Sequence, residues 1–258
     1  MTATLVVRDL CKRFGALTVS DHVSLTLPAG ARHALIGPNG AGKTTFLGLL
    51  SGTLSADSGT VVFRGQDITR EAPSRRVKRG LVRTFQISKL FANLTVFENF
   101  YLPCNELAGT SANMLRPARR NGAVIDKADA MMADLGLLDV RDRLAAELSY
   151  GQQRLVELGI ALCLEPKVLL LDEPAAGIPS GETGIILAAI ERLPPEIAVL
   201  LIEHDMQIVR RFASGVTVLV SGSVLMSGTP DEVMESQEVR RVYLGRTGRR
   251  RLAGARDA

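Results

Sequence analysis

Residues 37–44 read Gly37-Pro38-Asn39-Gly40-Ala41-Gly42-Lys43-Thr44, the pattern G-x-x-x-x-G-K-[ST]. The chemistry of that spacing is phosphate binding. Its glycines let consecutive N–H groups curl around phosphate oxygens. Lys43 adds a point charge for β- and γ-phosphates, and the Thr44 hydroxyl is a ligand for Mg²⁺. Thr45 follows directly and is counted with the nucleotide-binding loop.

A second group lies far along the chain. The apolar run Val168-Leu169-Leu170-Leu171 ends in Asp172-Glu173. α/β sheets bind ligands at the C-terminal ends of such strands. Asp172 would hold Mg²⁺ through water there, and Glu173 would take a proton from an attacking water. By itself the run reads equally well as a strand closed by two acids. Gln86, in Arg83-Thr84-Phe85-Gln86, and His204, in Ile202-Glu203-His204-Asp205, each follow an apolar strand. Both are neutral polar groups suited to a γ-phosphate or its water, and each alone would pass for a surface or core residue. Phe14 alone reads as a core aromatic. A third feature, Leu148-Ser149-Tyr150-Gly151-Gln152-Gln153, opens a helical stretch from Arg154 to Leu162. Such a helix start is a second anion site.

The elements that position these groups are legible from their apolar runs. Strand His33–Ile36 precedes the phosphate loop; helix Lys43–Leu50 follows it, with Gly52 as C-cap. Further strands are expected at Leu5–Val7, Leu25–Leu27, Thr60–Phe63, Val168–Leu171 and Ala198–Ile202. Val216–Val220 is expected to turn through Ser221-Gly222-Ser223 into Val224–Met226 as a hairpin. Unbroken runs such as VLLL and AVLLI suit central parallel strands. Between about 92 and 164 the pattern turns helical, with apolar spacing over Ala128–Leu138, a short helical piece over Arg141–Glu147 and a loop over Ala108–Asn121.

The 258 residues are 46% hydrophobic and 22% charged, which suits a packed globular core, and the net charge of +4 is mild. No basic stripe interleaved with aromatics argues for nucleic acid. Cys11, Cys104 and Cys163 are odd in number and lack metal-ligand spacing, so they are read as buried thiols of a reducing compartment. The N-terminus lacks the apolar region of a signal peptide. The longest apolar runs fall far below the ~20 residues of a spanning helix. A cytoplasmic chain is expected, with any membrane-spanning part on another subunit.

The order aromatic, phosphate loop, Gln, LSYGQQ, strand-Asp-Glu, His, over residues 4–244, resembles the ATP-binding cassette (ABC) family. The resemblance implies an α/β fold: one P-loop NTPase ABC ATPase core, a mixed sheet flanked by helices. An α-helical subdomain would be inserted at about 87–164, and residues 246–258 would form a basic tail. It implies ATP and Mg²⁺ as cofactors, Phe14 stacked on adenine, Thr44, Gln86 and Asp172 at the metal, and Glu173, His204 and Gln86 in catalysis. Ser149, Tyr150, Gly151 and Gln152 correspond to the signature motif, which faces the γ-phosphate held by a second ABC ATPase subunit, of the same or a different chain.

RTFQ at 83–86, LFANLTVFEN at 90–99, DEPAAG at 172–177, LIEHDM at 201–206 and the ending Val242-Tyr243-Leu244-Gly245 are similar to the ATPases of branched-chain amino-acid and urea uptake. Those work beneath two membrane permease subunits fed by a periplasmic or extracellular solute-binding protein, on the inner face of the membrane. The stretch Ile87–Phe100 is the expected docking surface for the permeases. The ATPase of lipopolysaccharide export is the second resemblance, and a non-transport cassette acting on nucleic acid or ribosomes the third reading. Two departures stand out: Tyr150 where many cassettes have Gly, and Ile178-Pro179-Ser180 where the uptake group has Leu-Asn-Pro.

Overall fold

The computed structural model describes residues 3–84, 90–109, 121–178 and 180–242, of which Ser180 and Gly181 as backbone. In chain order the first elements are β1 (Ala3–Phe14), β2 (Leu17–Pro28), β3 (Arg32–Ile36), α1 (Lys43–Ser51), β4 (Ser58–Phe63), β5 (Gln66–Asp67) and α2 (Pro73–Lys78). The middle holds β6 (Leu81–Arg83), α3 (Val96–Leu107), α4 (Gly122–Asp134), α5 (Tyr150–Cys163), β7 (Val168–Asp172) and α6 (Ser180–Glu191). The last are β8 (Ala198–Ile202), α7 (Met206–Phe212), β9 (Gly215–Val220), β10 (Ser223–Gly228) and α8 (Pro230–Glu235). The chain divides into two compact units, one built from residues up to Pro73 and from Ala198 onward, the other from Ser74–Ile197.

The first unit holds two sheets. One is antiparallel, in the order β2-β1-β4-β5. Its strands alternate: Leu5, Val7 and Leu10 on β1 and Val23, Leu25 and Leu27 on β2 are buried, while Val6, Arg8, Asp9, Ser24 and Thr26 between them are less covered. That is the pattern of strands with one wet face. In the other sheet β3 runs parallel to both β8 (Leu35 opposite Ile202) and β9 (Ile36 opposite Val218), and β10 returns antiparallel to β9. β8 is buried along its whole length, as a strand covered on both faces must be. Ala34 and Ile36 pack with Val209, Val216, Val218, Val233 and Val239, which fixes the strand that feeds the phosphate loop. The expected hairpin forms, with Ser221 and Gly222 both at positive φ (49 and 86), the backbone of a tight two-residue turn.

In the second unit β6 pairs parallel with β7, Leu81 opposite Val168. Helices α3, α4 and α5 pack together. Gly159 lets α5 approach α3 closely, since a Cβ there would run into the Phe100 ring. Two helices are closed by capping boxes, Thr95 with Glu98 and Ser149 with Gln152.

Three expectations are corrected here. The apolar spacing over 128–138 belongs to a helix that ends earlier, at Asp134, after which Gly136 takes φ 68. Arg141–Glu147 is helical only in a 3₁₀ turn at Ala145–Glu147. The carbonyls of Arg141 and Arg143 instead accept from the N–H groups of Phe97 and Val96, and Thr95 bridges Leu144, so the segment is spent satisfying the start of α3. In the expected docking stretch, Val96, Phe97 and Phe100 are buried in the helical unit, whereas Phe91 is exposed. Residues 87–89 lie outside the described residues, as do Gln86, most of the expected loop at 108–121, Pro179, the ending from Tyr243 and the basic tail.

Candidate functional site

In the first unit the loop passes from β3 to α1 without a side-chain cap. Gly42, at φ 100, makes no capping hydrogen bond, and the first turn of α1 carries no acid. A helix end with neither a capping side chain nor an acid in its first turn suits an external anion. Two glycines are dictated by close approach: a Cβ on Gly37 would strike the Leu219 carbonyl oxygen, and one on Gly42 the Val19 carbonyl oxygen. Lys43 is buried and folds back on its own loop, Nζ donating to the carbonyls of Gly37 at 2.7 Å and Pro38 at 3.2 Å. These bonds hold a cation at a helix N-terminus, two sources of positive potential in one turn of chain. Asn39, Gly40 and Thr44 are exposed, Pro38 and Thr45 half-buried, and Ala41 buried.

His204 follows β8, the neighbour of β3, so the loop and His204 leave the same ends of adjacent parallel strands. Its side chain is 65% exposed. The backbone around it is pinned: His204 N–H donates to the buried Glu203 Oε2 at 3.1 Å, and Gln207 N–H donates to Asp205 at 2.8 Å, capping α7. The imidazole is thus presented on a fixed backbone.

Phe14 is 49% exposed at the tip of β1, so the structure sets aside the core reading. Lys12 Nζ sits 5.5 Å from its ring centroid. Asp57 anchors this tip, accepting from Lys12 Nζ at 2.8 Å and from Arg13 N–H at 2.7 Å. The Lys12 hydrogen bond, then the Arg13 N–H, hold the Asp57 carboxyl below the usual range. An exposed ring on an anchored strand end is ready to stack on a planar ligand.

In the second unit, Asp172 closes β7 and is 3% exposed. Sequence reasoning missed its partner: Arg83 Nη2 donates to Asp172 Oδ2 at 2.7 Å, and the arginine side chain is itself 11% exposed. The available signal was a lone arginine ending an apolar strand, Leu81-Val82-Arg83. Glu173, the next residue, has φ 47. A non-glycine residue in that left-handed region costs roughly 1–2 kcal/mol, and such strain gathers where a side chain must be aimed.

The helix expected over Arg154–Leu162 begins earlier, at Tyr150, so Tyr150, Gly151 and Gln152 are themselves helical. Ser149 caps α5, with Tyr150, Gly151 and Gln152 in its first turn. Tyr150 is half exposed, its ring 5.4 Å from the Arg154 guanidinium, and its hydroxyl oxygen lies 3.6 Å from where a Gly177 Cβ would be. The residue that replaces the usual glycine therefore leans on the end of the DEPAAG segment. Glu182, in the first turn of α6, also reaches this helix start, a contact no motif announced.

Cys104 and Cys163 are buried, as expected, and hydrogen-bond to each other; this lowers the Cys104 thiol and, with burial, raises that of Cys163. Cys11 is only half-buried, because it lies on the wet side of β1. Its Sγ accepts from His22 N–H at 3.3 Å, and His22 Nδ1 lies 2.9 Å from Asp21 Oδ1. Among the described residues no helix is long and apolar enough to cross a membrane.

Comparison with known proteins agrees with this geometry. The ABC transporter family model matches residues 20–176. The chain is 37% identical over 248 residues to the high-affinity branched-chain amino acid transport ATP-binding protein LivG of Salmonella typhimurium, covering 93% of this chain and 97% of that one. It is 35% identical over 251 residues to BraF of Pseudomonas aeruginosa, with the same coverage. Among solved structures, an ATP-binding cassette of an ABC transporter in its ADP conformation superposes with a TM-score of 0.84 at 32% identity, covering 95% of this chain and 100% of that one. A nucleotide-free cassette superposes at 0.83 and 31% identity, covering 94% and 99%. A phosphate loop at the end of one parallel strand, an acid pair at the end of another and a capped signature helix thus lie in a chain that belongs to the ABC transporter family as its ATP-binding, ATP-hydrolysing subunit.

Proposed function

We propose that this chain powers uptake of a branched-chain amino acid or a related small polar solute, such as urea or an amide, through separate membrane subunits. What carries the reading is the 37% identity to LivG over nearly the whole chain. ATP would lie with its phosphates on residues 37–45 and its adenine on Phe14. Glu173 takes the proton of the attacking water, and His204 and Gln86 orient water and γ-phosphate. Thr44, Gln86 and Asp172 are the residues that would hold Mg²⁺, and oxygen donors of this kind suit it. When bound, the ion neutralises charge on the phosphates. Arg83 takes one oxygen of Asp172 and fixes its carboxylate plane.

The signature at Ser149–Gln152 acts on the nucleotide of a second cassette, so the working unit is a dimer beneath two permease subunits on the inner face of the membrane. A single cassette domain spans 4–244, with a helical subdomain near 87–164 and a basic tail. Residues 90–95, including the exposed Phe91, are the described part of the surface that meets the permeases. The test is to purify the chain with its membrane subunits and solute-binding protein and measure ATPase against a panel of solutes. Stimulation by leucine, isoleucine, valine, urea or short amides supports the reading; stimulation only by an unrelated cargo overturns it.

A further inference from the structure

Glu182 Oε2 accepts a hydrogen bond from Gly151 N–H at 2.6 Å and lies 3.4 Å from the Ser149 hydroxyl. Both groups belong to the signature, Ser149–Gln152, that the reading above assigns to the nucleotide of a second cassette. We infer that Glu182 is a built-in stand-in for that phosphate: its carboxylate occupies the signature of the lone chain and must leave before a partner's nucleotide can enter. The inference rests on the trans role of the signature.

The placement is chemically coherent. A carboxylate and a phosphoryl oxygen are both anionic acceptors and suit the same helix start. Glu182 also stands in the first turn of its own helix, α6, so one negative charge meets two helix N-termini. The approach is close, since a Cβ on Gly151 would collide with the Glu182 carboxylate; glycine at this position leaves room for an acceptor. The signature's own architecture does not need Glu182, because Ser149 and Gln152 already cap α5 reciprocally. Gln152 N–H donates to Ser149 Oγ at 3.3 Å, and Ser149 N–H to Gln152 Oε1 at 3.1 Å. The side chain is half-buried, so it has solvent to swing into. An arriving γ-phosphate would meet a like charge and displace it. The contact therefore sets how readily two cassettes close on ATP, and it keeps a lone chain's signature satisfied.

Two measurements test this on the full chain. In a Glu173→Gln background, which holds ATP without turning it over, ATP-dependent pairing is followed by analytical ultracentrifugation. Glu182→Ala should lower the protein concentration for half-maximal pairing roughly 5- to 20-fold, the scale of losing one charge-assisted competitor. Glu182→Gln, neutral but still able to accept, should fall between. Unchanged or weaker pairing in both overturns the inference and returns Glu182 to a structural role. Ser149→Arg separates the two ideas: if pairing survives it, the trans reading itself fails; if pairing is lost there but Glu182→Ala changes nothing, only the stand-in fails. The second measurement needs no dimer. The Gly151 amide resonance of ¹⁵N-glycine-labelled chain is titrated with inorganic phosphate without nucleotide. It should respond at several-fold lower phosphate in Glu182→Ala than in the wild type. Should no pairing occur in any variant, this titration decides, and equal response or none in both chains overturns the inference.

Discussion

Arg83 Nη2 lies 2.7 Å from Asp172 Oδ2, and both side chains are almost closed to solvent. One ends β6 and the other ends β7, adjacent parallel strands that deliver them to the same edge. Burying two charges is tolerable only as a pair, and removing one partner leaves the other uncompensated at about 3–5 kcal/mol. Arg83→Ala is therefore expected to lower unfolding stability by that order in a urea titration, while Arg83→Ala with Asp172→Asn recovers a large part of it. Additive losses in the double variant would mean the two groups do not depend on each other.

Glu173 carries two loads at once. Glu173 is proposed to take a proton from water, so its change to Gln should reduce ATP turnover by about 10²–10⁴ and leave ATP binding intact. Its φ of 47 is a separate matter. Glu173→Gly removes the left-handed strain and should raise stability by about 1 kcal/mol while turnover falls as far. Steady-state ATPase and thermal unfolding on the same samples check both; a destabilised glycine variant would show that Glu173 is held by contacts rather than tolerated under strain.

Phe14 is expected to stack on the adenine of ATP. With the ring already exposed, Phe14→Ala creates no cavity, so the fold should be unaffected. ATP affinity should drop by roughly 1–3 kcal/mol, the range of base–aromatic stacking. Calorimetric titration with ATP and with inorganic phosphate separates the cases: loss on ATP alone is stacking, whereas equal loss on both would mean the phosphate loop had moved.

How much of this was legible depends on what kind of force fixes each residue. The phosphate loop, the hairpin at 221–222 and the buried strand β8 follow from local rules: glycine conformations, turn chemistry and apolar runs. Residues 141–147 were misread because their composition permits a helix, while their carbonyls are claimed by Val96 and Phe97, some 45 residues away in sequence. Phe14 alone reads as core because a lone aromatic is more often buried; β1 runs on beyond the expected Leu5–Val7 and leaves the ring bare at its end. Arg83 and Glu182 were missed for a common reason. Each finds its partner across a long loop, 89 and 31 residues apart for Asp172 and Gly151, and charge pairing leaves no periodic trace in a sequence.

His33 gives the first unit a pH dependence. It lies on β3, largely buried, with Nε2 2.9 Å from the Thr217 hydroxyl, and burial lowers its pKa from 6.5 to about 4. The folded state thus binds this proton less readily than the unfolded chain. Its full stability is present above pH 6.5, falls as pH drops toward 4, and loses nothing further below. The total is about 3 kcal/mol from this group. His33→Gln, which keeps a hydrogen-bonding end for Thr217, should flatten that part of the stability profile. Urea midpoints from pH 7.5 to 4 in both chains measure it; parallel profiles would assign the acid sensitivity elsewhere.

Lys43 and Ser149 lie in different compact units, and the proposal that they serve one nucleotide across a dimer has a direct consequence. Lys43→Ala removes the cation of the phosphate loop; Ser149→Arg fills the signature start with a side chain and a like-signed end. In a dimer of either variant alone both composite sites are defective, so each should be close to inactive. A mixed dimer carries one site spoiled twice and one site intact, with Lys43 from one chain and Ser149 from the other. Equal mixing makes half the dimers mixed by symmetry, so about a quarter of wild-type ATPase should return. If the natural partner is a different cassette chain, the two substitutions are divided between the two chains. That division places both changes in one composite site and should retain turnover, whereas both changes in one of the two chains spoil both sites and should abolish it. Activity that depends on the total amount of each variant but not on their mixing would assign both residues to one chain's own site. A mixed dimer shown to form and to bind ATP, yet inert, counts against the trans assignment unless hydrolysis requires both sites together. A dimer carrying Lys43→Ala in one chain alone, with both signatures intact, distinguishes that cooperative case, since it too would be silent.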